Sequence, residues 1–150
     1  MTKQQLKDEL KQSMLARDTE KTSTLRMAIS ALSYYEIEKG GAGYEATEED
    51  VEAVLQRQAK QRRDSIEQFK AGGRDELAAK EAKELELLES YLPKQMAEEE
   101  VKKLVDEAVT QTGAASATDM GKVMGALMPK VKGKADGTLV SKLVRERLSQ

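Results

Sequence analysis

The chain has 150 residues, 39% apolar and 35% charged, with only 3% aromatic, a net charge of −2 and neither cysteine nor histidine. That composition suits narrow apolar stripes on solvated helices and argues against sheets. It also removes disulfides, thiolate chemistry, the commonest general base and the commonest zinc ligand.

Apolar spacing predicts the helices in chain order. A first helix runs from about Thr2 to Arg17, with Leu6, Leu10 and Met14 as its stripe. Asp18 can cap a second, which carries Leu25, Ala28, Ile29 and Leu32 and ends near Gly40. Gly40, Gly41 and Gly43 then predict a flexible loop. Thr47 and Asp50 resemble a capping box for a third helix to about Ala71, with Val51, Leu55, Ala59, Ile66 and Phe69 inward. After Gly72-Gly73 a fourth helix spans about Asp75 to Leu92, with Leu77, Leu85, Leu88 and Leu92 inward.

Pro93 disfavours helical geometry in the residue before it and marks the expected boundary between residues 1–93 and 94–150. Beyond it, a fifth helix from about Ala97 to Gln111 ends at Gly113. Thr118 reads as the N-cap of a sixth, with Met120, Met124 and Met128 on one apolar face and Pro129 and Gly133 ending or kinking it. The last spans about Thr138 to Leu148. The expected fold is therefore all-α, a four-helix part followed by a three-helix bundle. No stretch reaches the roughly 20 apolar residues that span a bilayer. With no apolar h-region near the N-terminus and no cysteine, the expected location is cytoplasmic and the partner is not a membrane.

No arrangement of side chains points to catalysis. The acidic runs Glu48-Glu49-Asp50 and Glu98-Glu99-Glu100 read as charges complementing helix N-termini. Ser30, Ser33 and Ser65 have no base and no nucleophile motif. The expected catalytic and metal sets are empty, and no cofactor is implied. Arg62 and Glu81 interrupt apolar stripes, Arg26 adjoins Leu25, and Glu36 follows Leu32 by four. They read as interhelical ion pairs, with Glu36 or Glu81 expected opposite Arg62.

Charge is unevenly spread. Residues 1–93 carry 15 basic and 19 acidic side chains, whereas residues 120–150 carry 7 basic and 2 acidic. The second stretch holds Lys122, Lys130, Lys132, Lys134, Lys142 and Arg145 around Gly133, Gly137 and a helix start. Lysines beside backbone amides and a helix N-terminus suit phosphate groups. No Gly-x-x-x-x-Gly-Lys-Ser/Thr phosphate loop is present.

The same stretch, MGKVMGALMPKVKGKADGTLVSKLV (120–144), resembles the C-terminal signature of the YqeY family. LLESYLPKQMAEEEV, QRRDSIEQFKAGGRDEL and LRMAISAL extend the resemblance over nearly the whole chain. The family's fold resembles the C-terminal tail of GatB, the tRNA-handling subunit of the glutamine-dependent Glu-tRNA/Asp-tRNA amidotransferase. That implies binding of tRNA or another structured RNA through the basic C-terminal residues. The amidase and phosphoryl-transfer domains have no counterpart here, so a carbon–nitrogen ligase activity is not implied. The alternative is a protein-interaction module docking on a translation or tRNA-amidotransferase component. Few aromatics disfavour stacking of single-stranded bases, which leaves shape and phosphate recognition.

Overall fold

The computed structural model describes residues 1–150. Seven α-helices and no strand make up the chain: α1 (Lys3–Leu15), α2 (Thr19–Gly40), α3 (Glu48–Ala71), α4 (Asp75–Ser90), α5 (Glu98–Thr112), α6 (Met120–Val131) and α7 (Gly137–Leu148), with a short 3₁₀ turn, Ala117–Asp119, before α6. The chain divides into two units, Met1–Leu92 and Pro93–Gln150. No helix is long and apolar enough to cross a membrane.

Local chemistry sets the helix ends. Thr2 and Gln5 form a reciprocal capping box at α1: the Gln5 amide donates to Thr2 Oγ1 at 3.1 Å and the Thr2 amide to Gln5 Oε1 at 2.8 Å. Asp18 accepts the Lys21 amide at 3.0 Å and so starts α2 two residues after the α1 cap. Thr47 and Asp50 cap α3 in the same reciprocal way, at 3.2 and 3.0 Å. Gly113 closes α5 in the left-handed conformation, φ +65°. Thr118 does not cap α6; it lies within the 3₁₀ turn, where Asp119 Oδ2 accepts the Ala115 amide at 3.0 Å and holds the loop. A carboxylate serves better there because it can take two amides at once, the second from Ser116 at 3.4 Å.

The first unit buries Leu6, Leu25, Ala28, Leu32, Val51, Val54, Leu55, Ala59, Leu88 and Leu92 together. Two residues expected inside lie outside: Met14 is 50% and Leu77 40% exposed. Steps of four drift by about 40° each around a helix of 3.6 residues per turn, so alternating steps of three and four stay on one face. Ser13 thus replaces Met14 in α1, and Ala78 replaces Leu77 in α4. The second unit closes on Val101, Val105, Ala108, Val109, Val123, Leu127, Val131, Val140, Leu143, Val144 and Leu148. Met120 and Met124 pack against this core, while Met128 is 37% exposed.

The Gly40–Gly43 segment is a pinned turn rather than the flexible loop expected. The Tyr44 amide donates to the Gly41 carbonyl at 3.2 Å, and its hydroxyl donates to Asp50 Oδ2 at 2.6 Å. The Tyr44 side chain lies so close to Gly40 that a β-carbon there would fall 2.6 Å from it. Glycine is required at that contact because it alone leaves the space.

Candidate nucleic-acid interface

The six basic residues of the C-terminal stretch are all exposed. Lys130 lies in the last turn of α6, Lys132 is its C-cap, and Lys134 lies in the turn beyond, where Gly133 takes φ +77°. The turn is fastened to the start of the unit. The Met96 amide donates to the Lys134 carbonyl at 2.7 Å, and Gln95 Nε2 donates to the Gly133 carbonyl at 3.3 Å. These bonds carry Lys94, exposed and without an ion-pair partner, to the neighbourhood of Lys132 and Lys134. Its separation of some 40 positions from those lysines hid this in the sequence.

On α7, Lys142 and Arg145 follow Thr138 at steps of four and three, which puts all three on one exposed face. Lys122 stands apart from the turn, eight residues and about 12 Å back along α6 from Lys130. Carboxylates hold half of the set loosely: Lys122 lies 4.0 Å from the half-buried Asp119, Lys130 4.0 Å from Glu107 and Lys142 3.9 Å from Glu146. Pairs of that length in water are worth little and leave the ammonium available. Lys132, Lys134 and Arg145 have no ion-pair partner. Arg147, by contrast, is committed to Asp106 at 2.9 Å.

The start of α7 is less suited to an anion than the glycines suggested. Asp136 Oδ1 accepts the Thr138 amide at 3.1 Å, which puts a carboxylate where a phosphate would sit. The usable positive field therefore lies at the α6 end, the turn and the outer face of α7.

Several charged groups of the first unit are engaged internally. Arg62, only 7% exposed, meets Glu81 at 3.2 Å and Glu84 at 3.1 Å. Glu81 was one of its two expected partners. Glu36, the other, instead accepts from Lys3 Nζ at 2.5 Å and the Ala46 amide at 2.9 Å. The Lys3 ammonium, then the Ala46 amide, holds the Glu36 carboxyl below the usual glutamate range. Asp50, buried, accepts from Lys39 at 2.5 Å, Tyr44 at 2.6 Å, Tyr35 at 2.9 Å and the Thr47 amide at 3.0 Å. Lys39 first, then these neutral donors, pushes its carboxyl far below the ordinary range, and Asp50 in turn pushes the Lys39 ammonium up. Lys39 also lies 5.5 and 5.3 Å from the ring centroids of Tyr35 and Tyr44. Ser33 Oγ donates to the Ile29 carbonyl at 3.0 Å, as serines within helices often do.

A sequence model of the Yqey-like protein family matches residues 3–148. Curated relatives are named altered inheritance of mitochondria protein 41, mitochondrial. The protein from Saccharomyces cerevisiae (strain YJM789) is 34% identical over 114 residues, covering 72% of this chain and 60% of its own length. That from Vanderwaltozyma polyspora is 36% identical over 87 residues, 58% of this chain and 46% of its own. That from Clavispora lusitaniae is 38% identical over 87 residues, 58% of this chain and 49% of its own. The chain thus spans 60% or less of the length of these relatives. Their names overturn the expectation of a cytoplasmic location, since each is called mitochondrial. The missing h-region and missing cysteines were weak guides, because a reducing interior is not confined to one compartment.

Proposed function

The chain belongs to the Yqey-like family, and we propose that it is a non-catalytic accessory module that binds structured RNA, tRNA foremost, through its second unit. The observation that supports this most is the freedom of the C-terminal cations. Lys132, Lys134 and Arg145 are exposed and unpaired, and Lys130 and Lys142 are held only by pairs of 4.0 and 3.9 Å. Lysines so placed meet phosphates as point charges and follow the shape of a folded RNA without reading bases. All four tyrosines and the one phenylalanine lie before residue 93, so the second unit has no ring on which to stack a base.

The test is a tRNA titration by fluorescence anisotropy at several salt concentrations. Five phosphate contacts give a log–log slope of about −3.5 to −4.5, between the single-strand and duplex limits. Each lysine removed lowers the slope by roughly one unit and weakens different RNAs alike. Arg57→Ala, in the first unit, leaves binding unchanged. Affinity that ignores salt, or that survives the joint change of Lys130, Lys132 and Lys134 to Ala, would overturn the proposal.

A further inference from the structure

We propose that the α1–α2 corner and the outer face of α2 form a docking groove for another protein's amphipathic helix, one carrying acidic residues beside its apolar stripe. The site is independent of the RNA surface. Of the large apolar side chains left exposed, Met14 (50%), Met27 (47%), Tyr34 (73%) and Ile37 (63%) all belong to the end of α1 or to α2. Met27, Tyr34 and Ile37 follow one another at seven and three residues, one helix face about 15 Å long. Apolar side chains exposed together on one helix face suit a binding surface better than ones scattered singly.

Charge identifies the occupant. Met14 and Met27 line a hollow of about 600 Å³ at the start of the stripe, and its only charged walls are Arg17 and Arg26. Neither arginine has an ion-pair partner; Arg26, expected in an interhelical ion pair, instead lies with Nη2 3.9 Å from Met14 Sδ. Arg17 holds φ +58°, the left-handed region. That conformation disfavours a β-carbon, and glycine is the usual residue there after a helix. The backbone is thus strained where it presents a cation at the rim of an apolar hollow, and strain of this kind gathers at functional sites.

The corner is also built to keep its shape. Ser13 Oγ lies 2.9 Å from Thr22 Oγ1, and the Asp18 amide donates to the Ser13 carbonyl at 3.0 Å. A fixed corner lined by adaptable methionines, with tyrosine and arginine at its edges, matches how helices are seated in grooves. The complement is apolar residues at helical spacing, flanked by Asp or Glu. RNA fits poorly, because the groove offers only two cations to a polyanion.

The experiment titrates the full, methyl-labelled chain with three helical peptides of equal length. They are a leucine stripe flanked by glutamates, the same stripe flanked by lysines, and the glutamate peptide with its stripe scrambled. The Glu-flanked peptide binds and shifts the methyls of Met14 and Met27 and the ring of Tyr34. The lysine and scrambled peptides, and the Arg17→Glu/Arg26→Glu variant with the first peptide, each lose about tenfold or more, as when a close charge pair or an anchor is removed. Arg17→Gly raises the melting temperature yet weakens the peptide, a split that a purely structural arginine would not give. Equal binding of the Glu- and Lys-flanked peptides overturns the proposal, as does no binding, or binding that shifts other residues. So does self-association of the chain through these methionines, or loss of tRNA affinity in Arg17→Glu/Arg26→Glu, which would give the groove to a second copy or to nucleic acid.

Discussion

Every buried polar or charged side chain, namely Ser13, Thr24, Glu36, Asp50 and Arg62, lies in the first unit, whereas the buried residues of the second are all aliphatic. The ion pairs divide in the same way. In the first unit Lys3–Glu36, Lys39–Asp50, Lys21–Glu9, Arg62–Glu81, Arg62–Glu84 and Arg63–Glu89 close at 2.5 to 3.2 Å, while the exposed pair Lys83–Glu20 stands at 3.9 Å. In the second, Arg147–Asp106 closes at 2.9 Å and the others stand at 3.5 to 4.0 Å. Cations that satisfy buried carboxylates fix the fold and are withdrawn from any ligand. Cations over an aliphatic core leave the fold intact when they are used elsewhere. In the first unit the buried carboxylates thus claim Lys3 and Lys39, and Arg62 is itself buried in a triad, whereas no cation of the second unit is paired with a buried group.

The comparison breaks most sharply at Arg62. Arg62→Ala leaves Glu81 and Glu84, whose side chains are 21% and 13% exposed, facing each other unpaired. The loss is about 3 kcal/mol, the order found when one member of a buried pair is removed. Tyrosine fluorescence in a urea titration measures it, because all four tyrosines belong to the first unit. The triad is not fully satisfied, since Arg62 Nε is buried without a partner. Replacing all three residues with leucine therefore returns stability to the wild-type level or above it. A triple variant as weak as Arg62→Ala would show that the charges do more than satisfy one another.

Next in size is the acid limb of the first unit. The folded Asp50 carboxyl titrates below the unfolded one, so its contribution is complete above the ordinary aspartate value near 3.9. It is lost as pH falls through the depressed folded value. Lys39 has the opposite sign: raised in the fold, it contributes fully below about 10.4 and loses that contribution at higher pH. Asp50→Asn removes the charge that both effects share. It lowers stability at neutral pH and flattens the decline below about pH 4, read from the same tyrosines, two of which bond to Asp50. A wild-type acid limb unchanged in Asp50→Asn would assign the sensitivity to Glu9 and Glu36, whose carboxyls are also held low.

The all-α class and the helix order were legible because their signals are local. Asp18, the Thr47–Asp50 box and Gly113 act within a few residues of where they stand. What the sequence hid depends on contacts across the fold or on helix phase. Lys3 reaches Glu36 from 33 positions away, and Glu84 joins Glu81 because α4 lies along α3. Ser13 is polar and so looked like surface, yet its hydroxyl is buried against Thr22 and the Leu10 carbonyl. Met14 was read inward because a four-residue step was carried one turn too far. Lys94 reaches the lysine turn only through the bonds of Gln95 and Met96 to Gly133 and Lys134.

The smallest expected effect tests the second unit at Asp136. Its carboxylate caps α7 and also opposes any phosphate approaching the turn formed by Lys132 and Lys134. Serine caps a helix about as well as aspartate, so Asp136→Ser changes stability by less than about 0.5 kcal/mol. It removes one negative charge from the rim of the positive field. tRNA affinity at low salt then rises by roughly two- to threefold, and the gain fades as salt screens the field. In the first unit the matching change, Asp18→Ser at the start of α2, preserves the cap at 3.0 Å from Lys21 and leaves tRNA affinity unchanged. Equal gains from the two substitutions would mean that RNA senses the net charge of the whole chain, and the assignment of RNA to the cations of the second unit would fail.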